Sequence, residues 1–359
     1  MKVFAFHLLN DYSGSPKVLS QLVKGWDENS LDVEICTSFQ NDGFLSRVPL
    51  WITRRNVWYR FYENRILRLW ALTMSQMLLM LRFFFLVKKE DVIYVNTVLP
   101  FGAALLGKLK GCRVIYHIHE TTMKPLILKK FLFGIVKVTA NDVVYVSKYL
   151  ANQEPVQGCK SHTLYNAIPD EFVEKSQHTP RDKTMPQNVL MVCSLKVYKG
   201  VFEFIKVAKQ LKQYRFRLVI NAPLKDIEKF FKGVELPENL ELFPTQRNVI
   251  PHYIWADLIM NLSHPESWVE TFGLTIIEGM AFGIPAIVPP VGGITEIVDD
   301  GFNGFHVNPH ETDKLEKAVQ QLFLNSKKYA QFSENAGIKL EAFREKAFVE
   351  SSLRILKDT

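Results

Sequence analysis

Cysteine is scarce in this chain, and the few that occur are far apart. They are Cys36, Cys112, Cys159 and Cys193, with no Cys-x-x-Cys pair among them. Without such pairs, neither a disulfide framework nor a cysteine-based zinc site is expected. Each cysteine lies in or beside an apolar run, so we predict small core residues in a reducing, cytoplasmic compartment.

The sequence also predicts neither internal repeats nor a secretory leader. There is no low-complexity tract and no short repeat, which argues against a solenoid and against a mainly disordered chain. The first residues, MKVFAFHLLNDYSG, have one lysine and only a short apolar run. A secretory leader needs a longer apolar stretch and a small-residue cleavage site, so we predict a buried first strand instead.

The composition is that of a folded protein with more than one domain. The chain has 359 residues, of which 47% are hydrophobic and 23% charged, and two domains are the natural expectation for this length. The formal net charge is +7 and the pI about 9.0. A basic balance favours anionic partners such as nucleotides, acidic lipid or nucleic acid.

Short apolar runs alternate with amphipathic stretches, as in βα units around parallel sheets. The strands predicted in the first half are Lys2–Leu9, Asp32–Thr37, Asp91–Asn96, Arg113–His119, Val143–Val146 and Thr163–Tyr165. Those predicted in the second half are Asn188–Cys193, Arg217–Asn221, Leu240–Phe243, Leu258–Leu262 and Ala286–Val288. Helices are predicted between them, notably at Val201–Lys212 and Gly273–Phe282.

The pattern divides the chain into two α/β halves with doubly wound parallel sheets. Residues 1–172 are predicted to form the first domain and residues 188–343 the second. Residues 173–187 are polar and hold two prolines, so they are the predicted linker. Residues 344–359 are predicted to form a helix that packs back towards the first domain. We expect the two halves to face each other across a cleft, with ligands beyond the carboxyl ends of the strands.

The segment richest in chemistry is residues 264–298. Glu270 and Glu278 flank the run Thr271-Phe272-Gly273-Leu274-Thr275, which should turn into a helix. The N-terminus of a helix offers unpaired N–H groups to a diphosphate, and Gly273 would let the backbone approach it. A capped helix with two solvated glutamates is the plainer interpretation. The Gly-Ile-Pro break and the double glycine that follow favour a binding site.

This segment resembles the C-terminal signature of glycosyltransferase family 4, a retaining, metal-independent family with the GT-B fold of two Rossmann-like halves. The resemblance implies that Glu270 contacts the donor sugar and Glu278 the ribose. It also implies that the turn from Phe272 through Gly273, Leu274 and Thr275 holds the phosphates. Thr271 stands where a glycine is usual. No Asp-x-Asp motif occurs, so no metal ligand is assigned, and no cofactor is expected because the nucleotide-sugar is a substrate.

A second stretch carries the same resemblance. Residues 193–200, CSLKVYKG, are similar to the family's Gly-Arg-Leu, three residues, then Lys-Gly. Lys199 matches the lysine that neutralises the leaving diphosphate. Ser194 stands at the position of the usual arginine, so one positive charge is missing, and Lys196 or Arg247 is a candidate to replace it.

Two landmarks of the resemblance fall in the first half. VIYHIHE, residues 114–120, is similar to the family strand that ends in a histidine beside the reacting sugar, which makes His119 a catalytic candidate. A histidine at a strand end is as often structural. Gly14 stands where the family often has a glycine pair beside the donor phosphates, and only one glycine is present.

Residues 51–89 interleave basic and aromatic side chains. Leu69–Val87 is nearly long enough to span a bilayer, but Gln76 and Arg82 interrupt it. We predict helices here, partly core and partly a surface for anionic lipid. An internal helix pair with an ordinary basic face is the alternative. Nucleic acid is not expected, because no motif for binding it accompanies the pattern.

Together these patterns predict a retaining glycosyltransferase. The donor is expected to be a UDP- or GDP-sugar and the acceptor a lipid-linked or cell-surface polysaccharide intermediate. From the basic, apolar segment we expect the protein to lie in the cytoplasm, at the inner face of the membrane. Two alternatives stay open. One is a catalytically silent module that binds a sugar nucleotide or membrane, and the other is a different GT-B enzyme such as a nucleotide-sugar epimerase.

Overall fold

The structure is a computed structural model that describes residues 2–39, 42–177, 185–246 and 248–358. It divides into two compact units. The first consists of residues 1–166 and 345–359, and the second of residues 167–344. Each unit contains one parallel sheet with helices around it.

The first unit is built on a seven-stranded sheet with the order β3-β2-β1-β4-β5-β6-β7. Its strands are β1 Lys2–Leu9, β2 Asp32–Ser38, β3 Thr53–Asn56, β4 Val92–Asn96, β5 Arg113–Ile118, β6 Asp142–Tyr145 and β7 Lys160–Thr163. Its helices are α1 Gly14–Glu28, α2 Arg65–Phe83, α3 Phe101–Lys110, α4 Leu126–Thr139, α5 Lys148–Gln153 and α13 Glu345–Lys357. The central strands are buried on both faces, which is why they are apolar runs in the sequence.

The last helix, α13, is fixed to this unit by polar contacts. The indole Nε1 of Trp26 on α1 donates to the Ser352 hydroxyl at 2.8 Å. The Arg113 guanidinium donates to the carbonyls of Ile355 and Leu356 at 2.9 and 3.0 Å. A cation at the C-terminal turn of a helix also interacts favourably with the helix dipole.

The second unit is built on a six-stranded sheet with the order β10-β9-β8-β11-β12-β13. Its strands are β8 Asn188–Ser194, β9 Arg215–Asn221, β10 Leu240–Phe243, β11 Leu258–Met260, β12 Ala286–Val288 and β13 Gly304–His306. Its helices are α6 Asp170–Gln177, α7 Val201–Gln210, α8 Leu224–Phe230, α9 Ile250–Trp255, α10 Leu274–Ala281, α11 Thr312–Phe323 and α12 Ser326–Leu340. Both sheets have the doubly wound order, as the alternating pattern predicts.

Two sequence predictions about local structure are corrected, and one strand was missed. The segment 51–89, predicted to form helices, is not helical throughout, because Thr53–Asn56 adds strand β3 to the sheet edge beside β2. Arg55 pairs there with Glu34, a buried carboxylate, so charge rather than an apolar run defines this strand. The strand predicted at Thr163–Tyr165 lies earlier, at Lys160–Thr163, where a polar edge strand pairs with β6. Strand β13 was not predicted at all.

The boundary between the units lies at residues 166 and 167, six residues before the predicted one. The reason is that Phe172 packs edge-on against Tyr253 and Phe282, at ring-centroid distances of 6.1 and 5.7 Å. The predicted linker 173–187 begins inside α6. Its residues 178–184 lie outside the described residues.

One helix of the described chain, α2, has the length and apolar composition of a membrane-crossing segment. A packed helix of a folded domain passes the same test, and 33% of the apolar stretch of α2 is buried. Its Gln76 side chain accepts a hydrogen bond from the Gly102 amide at 2.9 Å, where α2 meets α3.

Candidate active site

The second sheet reverses its strand order between β8 and β11. In open α/β sheets, ligands bind beyond the carboxyl ends of the strands at such a switch point. The segments that leave these two strands carry most of the predicted site residues. Ser194 ends β8 and Lys199 follows it, while Glu270 lies between β11 and α10.

Lys199 and Glu270 form an ion pair at this edge. The Lys199 Nζ lies 2.7 Å from the Glu270 Oε2, and the two side chains are 15% and 19% exposed. The same carboxylate oxygen accepts from the Asn261 amide and the Ser263 hydroxyl, both at 3.3 Å. The ammonium also lies 5.3 Å from the centre of the Trp268 ring. These contacts bring together side chains that are 71 positions apart in the sequence.

The ion pair keeps Glu270 ionised. Burial by itself would raise the pKa of this carboxyl group. The Lys199 ammonium and the hydrogen bonds from Asn261 and Ser263 outweigh burial, and they hold the pKa below its ordinary value. The site therefore presents one cation and one fixed anion at neutral pH.

A glycine fixes the turn that carries Lys199. Gly200 has φ +77° and precedes helix α7. A Cβ at this position would lie 2.1 Å from the Leu262 carbonyl oxygen on the segment after β11. No other residue fits between these two segments, so Gly200 lets the lysine turn approach Ser263 and Glu270.

The helix N-terminus predicted to hold the phosphates begins at Leu274. Gly273 caps it with φ 121°, a backbone conformation that favours glycine. The first N–H groups of α10, including those of Leu274 and Thr275, have no carbonyl inside the helix to bond. The Phe272 side chain is buried and packs on Phe343 at 5.7 Å between ring centres. Only the backbone of Phe272 is therefore available to a ligand.

The second glycine motif supports the same turn. Gly292, in the segment after β12, has φ 113°, and a Cβ there would lie 2.5 Å from the Glu270 carbonyl oxygen. The double glycine thus allows a close approach to the segment that presents Glu270.

Glu278 lies on α10, and it is buried, with 7% of its surface exposed. The Tyr253 hydroxyl donates to its Oε2 at 2.6 Å, and the Tyr253 ring stacks on Phe282 at 5.8 Å. A carboxylate accepts several hydrogen bonds, so one tyrosine does not exhaust its capacity. Burial and the neighbouring Glu278 charge raise the pKa of Tyr253 well above its ordinary value, so the hydroxyl remains a donor.

Ser194 occupies the end of β8 in register with Asn221 of β9. Of the two basic residues considered as replacements for the missing arginine, Lys196 is exposed, and Arg247 lies outside the described residues. Asn261 and Trp268 were missed by sequence reasoning. The signal that could have found them is their position just beyond the end of β11.

Gly14 and His119 belong to the first unit. Gly14 is the exposed first residue of α1, which follows β1. His119 follows β5, and its Nε2 contacts the Asn96 Oδ1 at 2.8 Å. Because a carbonyl oxygen only accepts, the proton lies on Nε2, and Nδ1 is the acceptor nitrogen of the ring.

Three histidines near these strand ends are held neutral. Burial lowers the pKa of His7 to about 4 and that of His117 to about 3. Burial also lowers the pKa of His119 well below its ordinary value, and His117 and His7 add to the effect. At neutral pH, His119 is therefore a neutral imidazole that can accept a proton.

Comparison with known proteins agrees with this architecture. Residues 12–172 match the family model described as Glycosyltransferase Family 4. Residues 173–338 match the model described as Glycosyl transferases group 1. The HepE protein of Anabaena, solved in complex with UDP and glucose, superposes on this chain with a TM-score of 0.82. The superposition covers 100% of both chains at 18% identity.

Two curated relatives differ in how much of their length is matched. N-acetyl-alpha-D-glucosaminyl L-malate synthase of Bacillus anthracis is 25% identical over 293 residues, or 75% of this chain and 74% of that protein. Sucrose synthase of Beta vulgaris is 41% identical over 54 residues, which is 15% of this chain and only 7% of the sucrose synthase. The two family models are matched one after the other over residues 12–338, and the chain belongs to glycosyltransferase family 4 and has the GT-B fold.

Proposed function

We propose that this protein transfers a hexose-like sugar from a UDP- or GDP-sugar to an acceptor, with retention of the anomeric configuration. The observation that carries the proposal is the Lys199–Glu270 pair, 2.7 Å apart, at the carboxyl edge of β8 and β11. Glu270 lies in the segment that leads into the N-terminus of α10. A cation beside a helix N-terminus suits a diphosphate, and a fixed carboxylate next to it suits sugar hydroxyls.

In the proposed reaction, the bond between the sugar C1 and the donor phosphate oxygen breaks as a bond forms between C1 and the acceptor oxygen. The acceptor proton passes to the leaving diphosphate on the same face of the sugar. Lys199 and the N–H groups of Leu274 and Thr275 stabilise the charge that develops on that diphosphate. Glu270 orients the sugar, Glu278 binds the ribose, and Ser194 and Gly14 line the donor. No metal and no cofactor are assigned a step.

His119 is proposed to assist near the acceptor. A neutral imidazole can orient the acceptor hydroxyl by hydrogen bonding. Its lowered pKa makes it a weak base, so the acceptor proton still passes to the diphosphate. This role assumes that the acceptor hydroxyl is bound beside the carboxyl end of β5.

One structural neighbour supports a uridine donor as the first to test, because HepE was solved with UDP and glucose. The Bacillus anthracis relative is named as a synthase of N-acetyl-alpha-D-glucosaminyl L-malate, so UDP-linked N-acetylglucosamine is tested beside UDP-glucose. GDP-sugars remain in the proposal, because the residues that would contact the base are not identified by the Lys199–Glu270 geometry.

A lipid-linked or cell-surface polysaccharide acceptor is proposed from the surface of the first unit. Apolar side chains on and after α2 are exposed, including Trp70 at 53%, Leu81 at 70% and Phe85 at 89%. Helix α4 adds Ile127 at 82% and Phe131 at 52%. Exposed apolar side chains beside the arginines and lysines of residues 51–89 favour peripheral contact with anionic lipid. The proposed location is therefore the cytoplasmic face of the membrane.

The test is turnover with purified protein, UDP- and GDP-sugars, and a lipid-linked saccharide extract. We expect a glycosylated product that forms only with acceptor, whose new linkage keeps the donor configuration by NMR. Lys339→Met, in the same unit but in an exposed pair with Asp299, is the control variant and should act like the wild type.

Three results would contradict the proposal. Epimerised donor without acceptor would indicate an epimerase. Tight donor binding without turnover on any extract would indicate a silent binding module. An inverted linkage would refute retention.

A further inference from the structure

Two histidines and a glutamate meet at a second place in the second unit. Glu203 lies in the first turn of α7, His264 follows β11, and His310 lies just before α11. Each offers one ligand atom, and these atoms lie within 4.8 Å of one another. Among residues 2–39, 42–177, 185–246 and 248–358, this is the one such group of histidine, cysteine and carboxylate side chains.

The inner part of this group contains unsatisfied polar atoms. The His264 Nε2 and the Glu203 Oε2 face each other at 3.0 Å. Neither atom is accessible to solvent. Their mutual contact lacks hydrogen-bond geometry, and no other group in the described part of the chain forms a hydrogen bond with either atom. Buried polar atoms without partners are rare and costly, so a missing ligand is a natural explanation. A cation between them would satisfy both.

The outer part of the group completes a ligand set. The imidazole of His310 lies 4.5 Å from that of His264, measured between ring centres. Its Nδ1 is 3.8 Å from the Glu203 Oε1, and its Nε2 is 3.4 Å from the Glu266 Oε2. The His310 and Glu266 side chains are 47% and 63% exposed, so both can adjust to an ion. Glu266 or a water molecule would supply a fourth ligand.

We propose that Glu203, His264 and His310 form a cation site that prefers Zn²⁺. Two imidazole nitrogens and a carboxylate oxygen are ligands that zinc takes in tetrahedral geometry. The backbone supports the arrangement, because the His264 amide donates to the Tyr198 carbonyl at 2.8 Å. No bond of the substrate is made or broken at this ion.

The site connects the segments that carry the proposed donor residues. Glu203 follows Lys199 by four positions, and His264 precedes Glu270 by six. A bound ion would therefore hold the two segments together at a further point, besides the Lys199–Glu270 pair and the His264–Tyr198 backbone hydrogen bond. This consequence rests on the proposed function, whereas the cation site does not.

The test measures zinc binding to the full chain after removal of metal with a chelator. We expect one Zn²⁺ per chain in a competition titration against a chromophoric zinc indicator. Co²⁺ in its place should give the intense visible absorption of a tetrahedral site. His310→Ala, chosen because this residue is half-exposed, and Glu203→Gln should each weaken zinc binding at least tenfold.

His162→Ala is the matched control. His162 also pairs with a carboxylate, Asp142, at 2.9 Å, but Arg113 contacts that carboxylate as well. We expect this control to bind zinc like the wild type.

Zinc affinity unchanged in both His310→Ala and Glu203→Gln would overturn the proposal, as would no binding by the wild type. An octahedral Co²⁺ spectrum would overturn the zinc preference. Since metal binding is measured without a donor, loss of glycosyl transfer cannot be mistaken for loss of the cation site.

Discussion

Replacing Lys199 by methionine gives the sharpest test of the ion pair. The change removes the ammonium group but keeps most of the aliphatic stem. Glu270 then remains as a largely buried carboxylate, because its side chain is 19% exposed. Breaking a fully buried pair from one side costs about 3–5 kcal/mol. Partial exposure reduces this to a loss of about 2–3 kcal/mol in the free energy of unfolding of the second unit.

The loss should depend on pH in a predictable direction. In the wild type, the depressed pKa of Glu270 stabilises the folded state at pH values above the pKa that this carboxyl has in the unfolded chain. That stability is lost as the pH falls through the folded pKa. In Lys199→Met, burial acts without the ammonium and raises the pKa of Glu270. Glu270 of the variant therefore takes up its proton at a higher pH than Glu270 of the wild type. The difference in the free energy of unfolding between the two proteins should narrow as the pH falls from 8 towards 5.

Thermal unfolding measures the loss of stability in Lys199→Met, and calorimetry with UDP measures its loss of nucleotide binding. For a domain of this size, 1 kcal/mol corresponds to about 2–4 °C in Tm. Lys199→Met should also weaken UDP binding by about tenfold and lower kcat by about 100-fold or more. Glu270→Gln should bind UDP at least as tightly as the wild type and yet lose turnover, because it frees the ammonium for the diphosphate. Equal losses of binding in both variants would refute this reasoning and leave only a structural salt bridge.

Four other changes test separate parts of the account. Glu278→Ala should weaken donor binding by about tenfold while the unit stays folded, as circular dichroism would check, and unchanged affinity would remove Glu278 from the site. His119→Ala should lower kcat. Protonation of His119 should not lower the kcat of the wild type between pH 8 and 6, because the pKa of His119 is well below its ordinary value. An inflection of wild-type kcat near pH 6.5 that vanishes in the variant would contradict this. Buried neutral His7, His117 and His119 should make the first unit less stable as the pH falls below about 6.5, where the unfolded histidines take up protons. His117→Gln should make that slope smaller in a denaturant titration, and an unchanged slope would contradict the contribution of His117. Phe85→Ser should reduce flotation with anionic vesicles, whereas Ile338→Ser, an exposed apolar residue of the other unit, should not; equal effects would argue against the proposed lipid surface.

Buried parallel strands are the elements that the sequence predicts most accurately. Lys2–Leu9 and Ala286–Val288 agree with the structure at both ends, because strands covered on both faces are continuous apolar runs. The edge strands β3 and β7 carry polar residues, and long-range pairing defines them. Glu34, which is buried against Lys2 and Arg55, holds β3 in place through charges that no periodic pattern reveals.

The sequence motifs indicate candidate residues for the site but not the contacts between them. Glu270 and Lys199 were identified from separate motifs, and only the fold brings them to 2.7 Å. The Tyr253–Glu278 hydrogen bond joins a residue of α9 to one of α10, and neither residue signals the other in the sequence. The same holds for the Glu203, His264 and His310 group, since ligands separated by 61 and 46 positions have no metal-binding spacing.

A crystal structure with UDP bound tests the central claim most directly. The account predicts that an oxygen of the diphosphate lies within hydrogen-bonding distance of the Lys199 Nζ and of the backbone N–H of Leu274 or Thr275. The ribose should then contact the Glu278 carboxylate. A nucleotide bound elsewhere on the second unit, with the first turn of α10 free of phosphate, would contradict the account.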